Sequence, residues 1–409
     1  MFILLAIDDF LETHELDSAT ALQILNTDDE NDLTDLLYDK IGDDTLLLRK
    51  VYRQVFSDLT TPLTTKLTKK KDVQKNLQKR EAYMHTESAQ YGPGSNYGYV
   101  CGGYYIGSYF STIDRFQFPF NSGIANKVGN LSRSRYNSSA NNSSTHGYVC
   151  GGVSVSKTLV FWTSASWAFT IDRFQFPFDD GIADHVGNLG RRRNCSGANN
   201  SSTHGYICGG HNGCHSLFSI ERFQFPFDSG TASQVGNLSS DRDALSANNS
   251  STHGYVCGGY GNGYYFRTID RFQFPFDSGT ANHVGNLSRS RDHLCANNSS
   301  IYGYAYGGYG SKGSGCAIDR FQFSFDSSTA SQVGDLSVSR GDLSANNSST
   351  YGYVCGGYYG DENRSFWYST IDRIQFPFDG GTSNYTGNLS RRGRGMSATD
   401  GVDFVTMLL

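Results

Sequence analysis

The sequence is poor in charge and in proline. Its 409 residues include 7 Pro against 47 Gly, only 18% are charged, and the formal net charge is −5. So weak a net charge argues against nucleic acid or a membrane surface as the partner of the whole molecule. No apolar run approaches the length of a membrane span. The apolar start "MFILLAI" is too short for a Sec signal peptide and lacks basic residues before it. We expect a soluble chain without Sec-type export.

Catalytic motifs are also missing. The sequence contains no phosphate-binding "GxxxxGKS", no "HExxH" and no "GxSxG". One acidic residue followed by Arg does recur six times, but an active site requires different groups that converge once. We therefore expect these pairs to connect strands or sheets, and we predict a protein that is not an enzyme and has no cofactor. The acidic residues are Asp114, Asp172, Glu221, Asp270, Asp319 and Asp372.

The cysteine count is odd, at nine. Five of them occupy one repeated position, too far apart for disulfides if each lies in its own repeat, so we expect small buried thiols in a reducing environment. Cys208, His211, Cys214 and His215 could in principle bind zinc, but their spacing fits no standard motif and we predict no metal. The five repeated cysteines are Cys101, Cys150, Cys208, Cys257 and Cys355.

Residues 1–95 differ from the rest of the chain. Their Leu, Ile and Val recur at helical spacing, which predicts three or four helices. Residues 1–44 hold thirteen acids and one base, whereas residues 45–81 hold ten bases and three acids. Ordinary solvated helix faces explain this segregation. A module that docks on other protein subunits, in a larger assembly or in copies of itself, explains it too.

Residues 96–409 form a repeat array. A Gly-Tyr pair recurs at intervals of 49, 58, 49, 49 and 49 residues, a period typical of supersecondary repeats. Each repeat contains variants of the segments "GYVCGG", "TIDRFQF", "ANHVGNL" and "LSANN". Alternating side chains, as in "TIDRFQF", and turn residues at the segment ends are typical of short strands. We predict a mainly β fold: a six-bladed propeller of four-stranded antiparallel blades after a small helical region. The last residues, "SATDGVDFVTMLL", should pair into the first blade and close the ring.

The array resembles kelch-type β-propellers, including kelch-like arrays found in phage and environmental sequences. One shared feature is a double glycine, at Gly102-Gly103, Gly151-Gly152, Gly209-Gly210, Gly258-Gly259, Gly307-Gly308 and Gly356-Gly357. The other is an Arg before the innermost strand, at Arg135, Arg193, Arg242, Arg291, Arg340 and Arg394. The Trp usual in the outer strand of the family is absent. The resemblance implies a β-propeller over about three-quarters of the chain.

One segment differs in every repeat. It lies between the double Gly and "IDRF", and it contains all three Trp of the chain among Tyr, Ser, Gly and Phe. Hairpin tips whose sequence is unconstrained would also differ between repeats. Unconstrained tips, however, should favour small polar residues, because exposed aromatic patches invite aggregation. Aromatic residues together with Ser and Gly are typical of binding loops. We therefore predict ligand-binding residues here: Tyr105, Tyr109, Phe110, Phe161, Trp162, Trp167, Tyr264, Tyr265, Phe366, Trp367 and Tyr368.

The connection between repeats is rich in Arg and should lie at the same end as the variable segments. Its arginines could contact acidic or sugar ligands, while the last Arg of each connection could equally be structural. The predicted ligand-binding arginines are Arg133, Arg191, Arg192, Arg289 and Arg391.

Three functions are compatible with this organisation. The first is a non-enzymatic recognition protein that binds glycan or another surface ligand and is anchored through residues 1–95 to an assembly such as a virion appendage. The second is a structural particle or fibre subunit whose variable loops contact neighbouring subunits. The third is a cytoplasmic kelch-like adaptor for a protein partner. Fold alone does not choose among them.

Overall fold

The computed structural model describes residues 96–157, 163–311, 313–326, 328–360 and 364–401. These residues are mainly β, and the described ranges contain strands and turns but no helix. None of their elements is therefore a helix long and apolar enough to cross a bilayer. The helices predicted for residues 1–95 lie outside the described residues.

Six four-stranded antiparallel sheets account for most of the described chain. In each sheet the strands are hydrogen-bonded in the order first, second, third, fourth, and a short parallel strand, Ser328–Thr329, extends the fourth sheet. The first sheet contains Ser397–Gly401, Tyr97–Cys101, Thr112–Gln117 and Asn126–Asn130. The second contains Ser139–Asn142, His146–Cys150, Thr170–Gln175 and Asp184–Asn188. The third contains Gly197–Asn200, His204–Cys208, Ser219–Gln224 and Ser233–Asn237.

The remaining three sheets repeat this arrangement. The fourth contains Ser246–Asn249, His253–Cys257, Thr268–Gln273 and Asn282–Asn286. The fifth contains Cys295–Asn298, Tyr302–Tyr306, Ala317–Gln322 and Ser331–Asp335. The sixth contains Ser344–Asn347, Tyr351–Cys355, Thr370–Gln375 and Asn384–Asn388.

The first sheet combines the two ends of the repeat array. Its first strand, Ser397–Gly401, pairs antiparallel with Tyr97–Cys101, and Ser397 lies opposite Cys101. In the other five sheets the first strand directly precedes its partner in the chain. The predicted pairing of the C-terminal segment with the first sheet is therefore confirmed for residues 397–401, whereas residues 402–409 lie outside the described part.

Each sheet packs on the next through aromatic side chains, and the sixth packs on the first. The core cluster between the sixth and first sheets, for example, combines Tyr353 and Ile371 with Phe116 and Phe118. A fully buried Tyr in each second strand accepts a hydrogen bond from a backbone N–H of the following sheet, which anchors one sheet to the next. These bonds are Phe178 to Tyr99, Phe227 to Tyr148, Phe276 to Tyr206, Ser324 to Tyr255, Phe378 to Tyr304 and Phe120 to Tyr353.

A series of buried side chains also joins the six first strands. In five strands an Asn Nδ2 donates to a backbone carbonyl of the next first strand, and in the last strand Thr399 Oγ1 donates back to Asn141. The donor and acceptor distances are Asn141–Asn199 2.8 Å, Asn199–Asn248 2.6 Å, Asn248–Asn297 3.3 Å, Asn297–Asn346 2.8 Å, Asn346–Thr399 2.9 Å and Thr399–Asn141 3.1 Å. We call this series the asparagine ring.

The recurring acidic residues are structural, because each lies buried beneath the connection that enters its sheet. In five sheets the carboxylate pairs with the last Arg of that connection: Arg135–Asp172, Arg193–Glu221, Arg242–Asp270, Arg291–Asp319 and Arg340–Asp372. Arginine suits this place because its fork also donates to buried carbonyls, as Arg291 does to Gly307 and Ala317.

The assignment of Arg394 to this series is wrong. The position equivalent to these arginines is Gly393, whose carbonyl accepts from the Gly357 N–H at 2.9 Å. The Arg242 carbonyl, on the connection into the fourth sheet, accepts from the Gly210 N–H in the same way. In the first sheet the Asp114 carboxylate lies beside Arg391 and accepts two hydrogen bonds from Ser390, as Asp172 does from Ser132. Burial lowers the pKa of Arg391 to about 10, against the opposing effect of Asp114.

All nine cysteines are unpaired, and the five at the repeated position are buried. Burial raises the pKa of Cys208 and of Cys257 to about 12, so these thiols are protonated at neutral pH. The Cys208 thiol donates to Asn199 Oδ1 in the asparagine ring at 3.6 Å, which makes it part of the core.

Truncation after Gly395 tests the role of the C-terminal strand. Removing residues 396–409 deletes one strand of the first sheet and the Thr399 link of the asparagine ring, leaving the edge of Tyr97–Cys101 unpaired. We expect the melting temperature to fall by about 10 °C or more, measured by differential scanning calorimetry. Truncation after Gly401 is the matched control and should retain most of the stability. Equal melting of both truncations and the full chain would contradict this role.

Asp400 should make the fold pH-dependent. It is buried and accepts from Asn346 Nδ2 at 2.7 Å and from the Asn347 N–H at 3.1 Å, and burial raises its pKa to about 7. The native state therefore binds more protons than the unfolded state between about pH 4 and pH 7, so stability falls as pH rises through that range.

Replacing Asp400 with Asn, which occupies the equivalent place in the other five sheets, removes this charge and keeps an acceptor oxygen. We expect Asp400→Asn to raise the melting temperature by about 2–4 °C at pH 8 and to have little effect at pH 4. A shift of the same size at both pH values would show that Asp400 does not titrate in this way.

Candidate functional site

One end of the six sheets carries the segments that vary between repeats. We call this end the loop face and define it by the segments between second and third strands together with the connections between sheets. The two kinds of segment lie side by side: Arg135–Tyr136 pairs with Val153–Ser154, and the Gly103 N–H donates to the Arg135 carbonyl at 2.8 Å. The predicted placement of the variable segments and the Arg-rich connections at one end is therefore confirmed for the described residues.

Five of the six segments between second and third strands contain a short hairpin. Among the described turns, Gly107 and Asn262 take a positive φ, which Gly and Asn adopt more readily than most residues. The hairpins pair Tyr104–Tyr105 with Ser108–Tyr109, Val153–Lys157 with Thr163–Trp167, Tyr260–Gly261 with Tyr264–Tyr265, Tyr309–Gly310 with Gly313–Ser314, and Tyr358–Gly360 with Ser365–Trp367.

The hairpins of the first and sixth sheets meet in an aromatic cluster. We define the aromatic cluster as Tyr104, Tyr105, Tyr109, Tyr136, Tyr358 and Trp367. Its rings form two groups: Tyr104, Tyr109 and Tyr136, with centroids 5.2 to 5.5 Å apart, and Tyr105, Trp367 and Tyr358, with centroids 5.0 to 5.7 Å apart along the series. The predicted residues Tyr105 and Trp367, from opposite ends of the repeat array, are thus brought into contact, whereas the predicted Tyr109 belongs to the other group.

A cation lies within this cluster. The Arg394 guanidinium carbon is 5.4 Å from the Tyr104 ring centroid and 4.8 Å from the Tyr358 centroid. Its Nη1 is 3.4 Å from Asp342 Oδ2, so the charge is shared between a carboxylate and two rings. The indole N–H of Trp367 has no hydrogen-bond partner among the described residues. The cluster therefore offers aromatic rings and one positive charge, while the indole N–H is buried.

The other predicted aromatic residues lie apart from this cluster. Tyr264 and Tyr265 are exposed at the hairpin of the fourth sheet, Phe366 is 48% exposed on the outer side of its strand, and Tyr368 packs beneath the Arg340 guanidinium. Trp167 is 36% exposed and lies against the neighbouring Gly213. Phe161 and Trp162 lie outside the described residues.

The predicted arginines divide into two groups. Arg133, Arg191, Arg192 and Arg289 are exposed on the connections. Arg289 donates to Gln332 Oε1 at 3.2 Å, and Arg192 lies 5.5 Å from the Phe169 ring centroid. Arg391 differs because it turns inward: its guanidinium is 4.1 Å from the Phe110 ring centroid and beside the buried Asp114. Phe110 and Arg391 therefore pack on each other.

The candidate zinc ligands are separated by their local structure. Cys208 is buried in its strand, while the His211 Nδ1 accepts from the Gly213 N–H at 3.0 Å and His215 lies 3.3 Å from the Asn212 side chain. Among the described residues, no group of three or more His, Cys, Asp or Glu side chains has a geometry that could hold a metal ion.

Sequence reasoning missed four members of the site. Tyr104 and Tyr358 directly follow the double Gly, Tyr136 lies in a connection, and Arg394 was assigned to the core. A positional signal was available for two of them: Tyr136 and Arg394 stand where the equivalent residues of the other repeats differ, whereas the place of Tyr104 and Tyr358 is Tyr in four of the six repeats. The chain matches no model of a known protein family and no curated protein sequence.

Proposed function

We propose that the six sheets are the blades of a closed, kelch-like six-bladed β-propeller. Two features support this proposal: the asparagine ring returns to its starting strand, and the sixth sheet packs on the first as each other sheet packs on the next. Four-stranded antiparallel blades around an axis are the usual way to give a repeat array of this length only short and protected edges. The double glycines fit this assignment, since each takes a positive φ at the end of a second strand.

We further propose that the protein is a non-enzymatic recognition protein whose loop face binds glycan. The observation that carries this proposal is the aromatic cluster with Arg394 among its rings. Tyr and Trp rings suit the apolar faces of sugar rings, and rigid aromatic side chains lose little conformational entropy on binding. Residues 1–95 would anchor the propeller to other protein subunits, as on a virion appendage.

The recurring acidic residues give no support to an enzymatic alternative. Their carboxylates are buried beneath the connections and bonded to Arg or Ser side chains there, so they stabilise the sheets and are not accessible to a substrate. The aromatic cluster itself contains no carboxylate, and its one charged neighbour is already shared with Asp342.

Substitution of Trp367 tests this function. Trp367→Ala removes the ring that contacts both Tyr105 and Tyr358, and we expect glycan binding to weaken about tenfold or more, because central aromatic residues dominate binding energy. Binding is measured on a glycan array and then by titration of the best glycan. Ile124→Ala is the matched control, since Ile124 is an equally apolar, 67% exposed residue in the loop between third and fourth strands at the opposite end.

Two results would count against the proposal. Glycan binding that survives Trp367→Ala together with Tyr105→Ala would show that the aromatic cluster is not the site. Loss of particle assembly in Trp367→Ala, with no glycan bound by the native protein, would favour the structural-subunit function instead.

A further inference from the structure

The sixth and first sheets meet at an interface that differs from the other five. We call this interface, which joins the two ends of the repeat array, the seam. In its core the seam keeps the links found at the other interfaces: Tyr353 accepts from the Phe120 N–H at 3.0 Å, and Asn346 Nδ2 donates to the Thr399 carbonyl at 2.9 Å. Two further links that recur between neighbouring sheets are altered there.

The first altered link involves an Arg in each third strand. In four interfaces this Arg forms an ion pair with an Asp in the loop between the third and fourth strands of the next sheet. At the seam the Arg373 guanidinium donates instead to the Asn121 side chain and to the Phe120 carbonyl. Asn121 stands where the other five repeats have Asp, so this position of the seam carries no negative charge. The four ion pairs are Arg115–Asp179, Arg173–Asp228, Arg222–Asp277 and Arg320–Asp379.

The second altered link is the buried ion pair beneath each connection. At the other five interfaces the last Arg of the connection reaches an acidic side chain of the next sheet. Gly393 has no side chain to do this, so Asp114 keeps its hydrogen bonds from Ser390 and the nearby charge of Arg391. Burial raises the pKa of Asp114 in spite of that charge. Among the six interfaces of the described residues, the seam alone has neither kind of ion pair.

At the loop face the seam is held by the aromatic cluster. Trp367 of the sixth sheet contacts Tyr105 of the first, with ring centroids 5.7 Å apart. Arg394, on the connection into the first sheet, lies 4.8 Å from the Tyr358 ring centroid and has Nη1 3.4 Å from Asp342 Oδ2. Both Tyr358 and Asp342 belong to the sixth sheet or to the connection into it. Residues of the candidate site therefore join the two sheets where the recurring ion pairs are missing.

We infer that the ring of sheets opens at the seam and that the aromatic cluster is the latch that keeps it closed. Opening separates Tyr105 from Trp367, so the candidate site exists only while the seam is closed. A ligand that touches both rings favours the closed state, because binding and closure are linked equilibria. This coupling to a ligand rests on the proposed glycan-binding function, whereas the opening itself does not.

Three backbone amides report this opening, because each donates a hydrogen bond across the seam and none belongs to the loop face. The equivalent amides between the second and third sheets are the matched comparison. The seam amides are Phe120 to Tyr353 Oη at 3.0 Å, Ala125 to the Asn388 carbonyl at 2.7 Å and Asn388 to the Gly123 carbonyl at 2.9 Å. The matched amides are Phe227 to Tyr148 Oη at 3.2 Å, Ala232 to the Asn188 carbonyl at 2.8 Å and Asn188 to the Gly230 carbonyl at 2.9 Å.

Amide hydrogen exchange of the full chain without ligand tests the opening. Because opening of the seam breaks all three cross-seam hydrogen bonds together, we expect the seam amides to exchange about tenfold faster or more than the matched amides. Equal exchange rates at the two interfaces would overturn the inference.

A reciprocal exchange of Asn and Asp tests the cause. Asn121→Asp gives Arg373 a carboxylate and should slow exchange of the seam amides about two- to fivefold, the range of an exposed ion pair. Asp228→Asn, the matched reverse change, removes the partner of Arg173 and should speed exchange of the matched amides by a similar factor. Both side chains are exposed, so neither change disturbs the core. Seam amides that exchange equally fast in Asn121→Asp and in the native protein would overturn this cause.

Trp367→Ala tests the latch. It removes the ring that contacts Tyr105 across the seam, and we expect the seam amides to exchange about three- to tenfold faster while the matched amides do not change. Tyr265→Ala is the control, because Tyr265 contacts Tyr260 within its own hairpin of the fourth sheet and should leave the seam amides unchanged. Seam exchange that is equal in Trp367→Ala and in the native protein would overturn the latch.

Bound glycan separates the coupling from the proposed function. The glycan with the strongest array signal, at about ten times its dissociation constant, should slow exchange of the seam amides about tenfold. Bound glycan without slower seam exchange would leave the function standing and overturn the coupling. Absence of array binding would overturn the function and the coupling with it, while the seam amides of the native protein still decide whether the seam opens.

Discussion

The asparagine ring is the interaction on which the rest of the structure depends. Each donor is buried and each acceptor belongs to the next first strand. Because a buried donor cannot bond to water instead, this hydrogen bond fixes the spacing between neighbouring sheets. Asn is short enough to let first strands approach closely and still reach across. The recurring "ANN" of five first strands follows from this constraint, because every sheet must meet two neighbours in the same way. Thr399 satisfies the same geometry at the junction of the two chain ends.

Because each sheet packs on the next in the same way, residues can differ between repeats mainly at the loop face. The tyrosines of the second strands, the buried Arg–Asp pairs and the asparagine ring all repeat because they connect one sheet with the next. The hairpins are free of that requirement. They carry different residues in each repeat, and Arg394 lies between rings of the first and sixth sheets. Variation in this chain therefore marks the surface where sheets do not have to match.

Much of this organisation is readable in the sequence. Period, turn residues and alternation predict the strands, and the pairing of residues 397–401 with the first sheet follows from the extra copy of the first-strand pattern. The misassignment of Arg394 has a simple cause: "SRRGRG" offers three arginines, and only the backbone hydrogen bond to Gly357 shows that Gly393 takes the structural place. The aromatic cluster escapes sequence reasoning because its members lie up to about 260 residues apart and meet only once the sixth sheet packs on the first.

Closure of the six sheets through Ser397–Gly401 is the central claim, and amide hydrogen exchange of the full-length protein measures it most directly. If this strand completes the first sheet, its amides should exchange as slowly as those of Ser246–Asn249, the equivalent strand of the fourth sheet, because both are hydrogen-bonded in the core. Exchange of residues 397–401 at the rate of an unstructured peptide, with residues 246–249 protected, would contradict the closure and the site that depends on it.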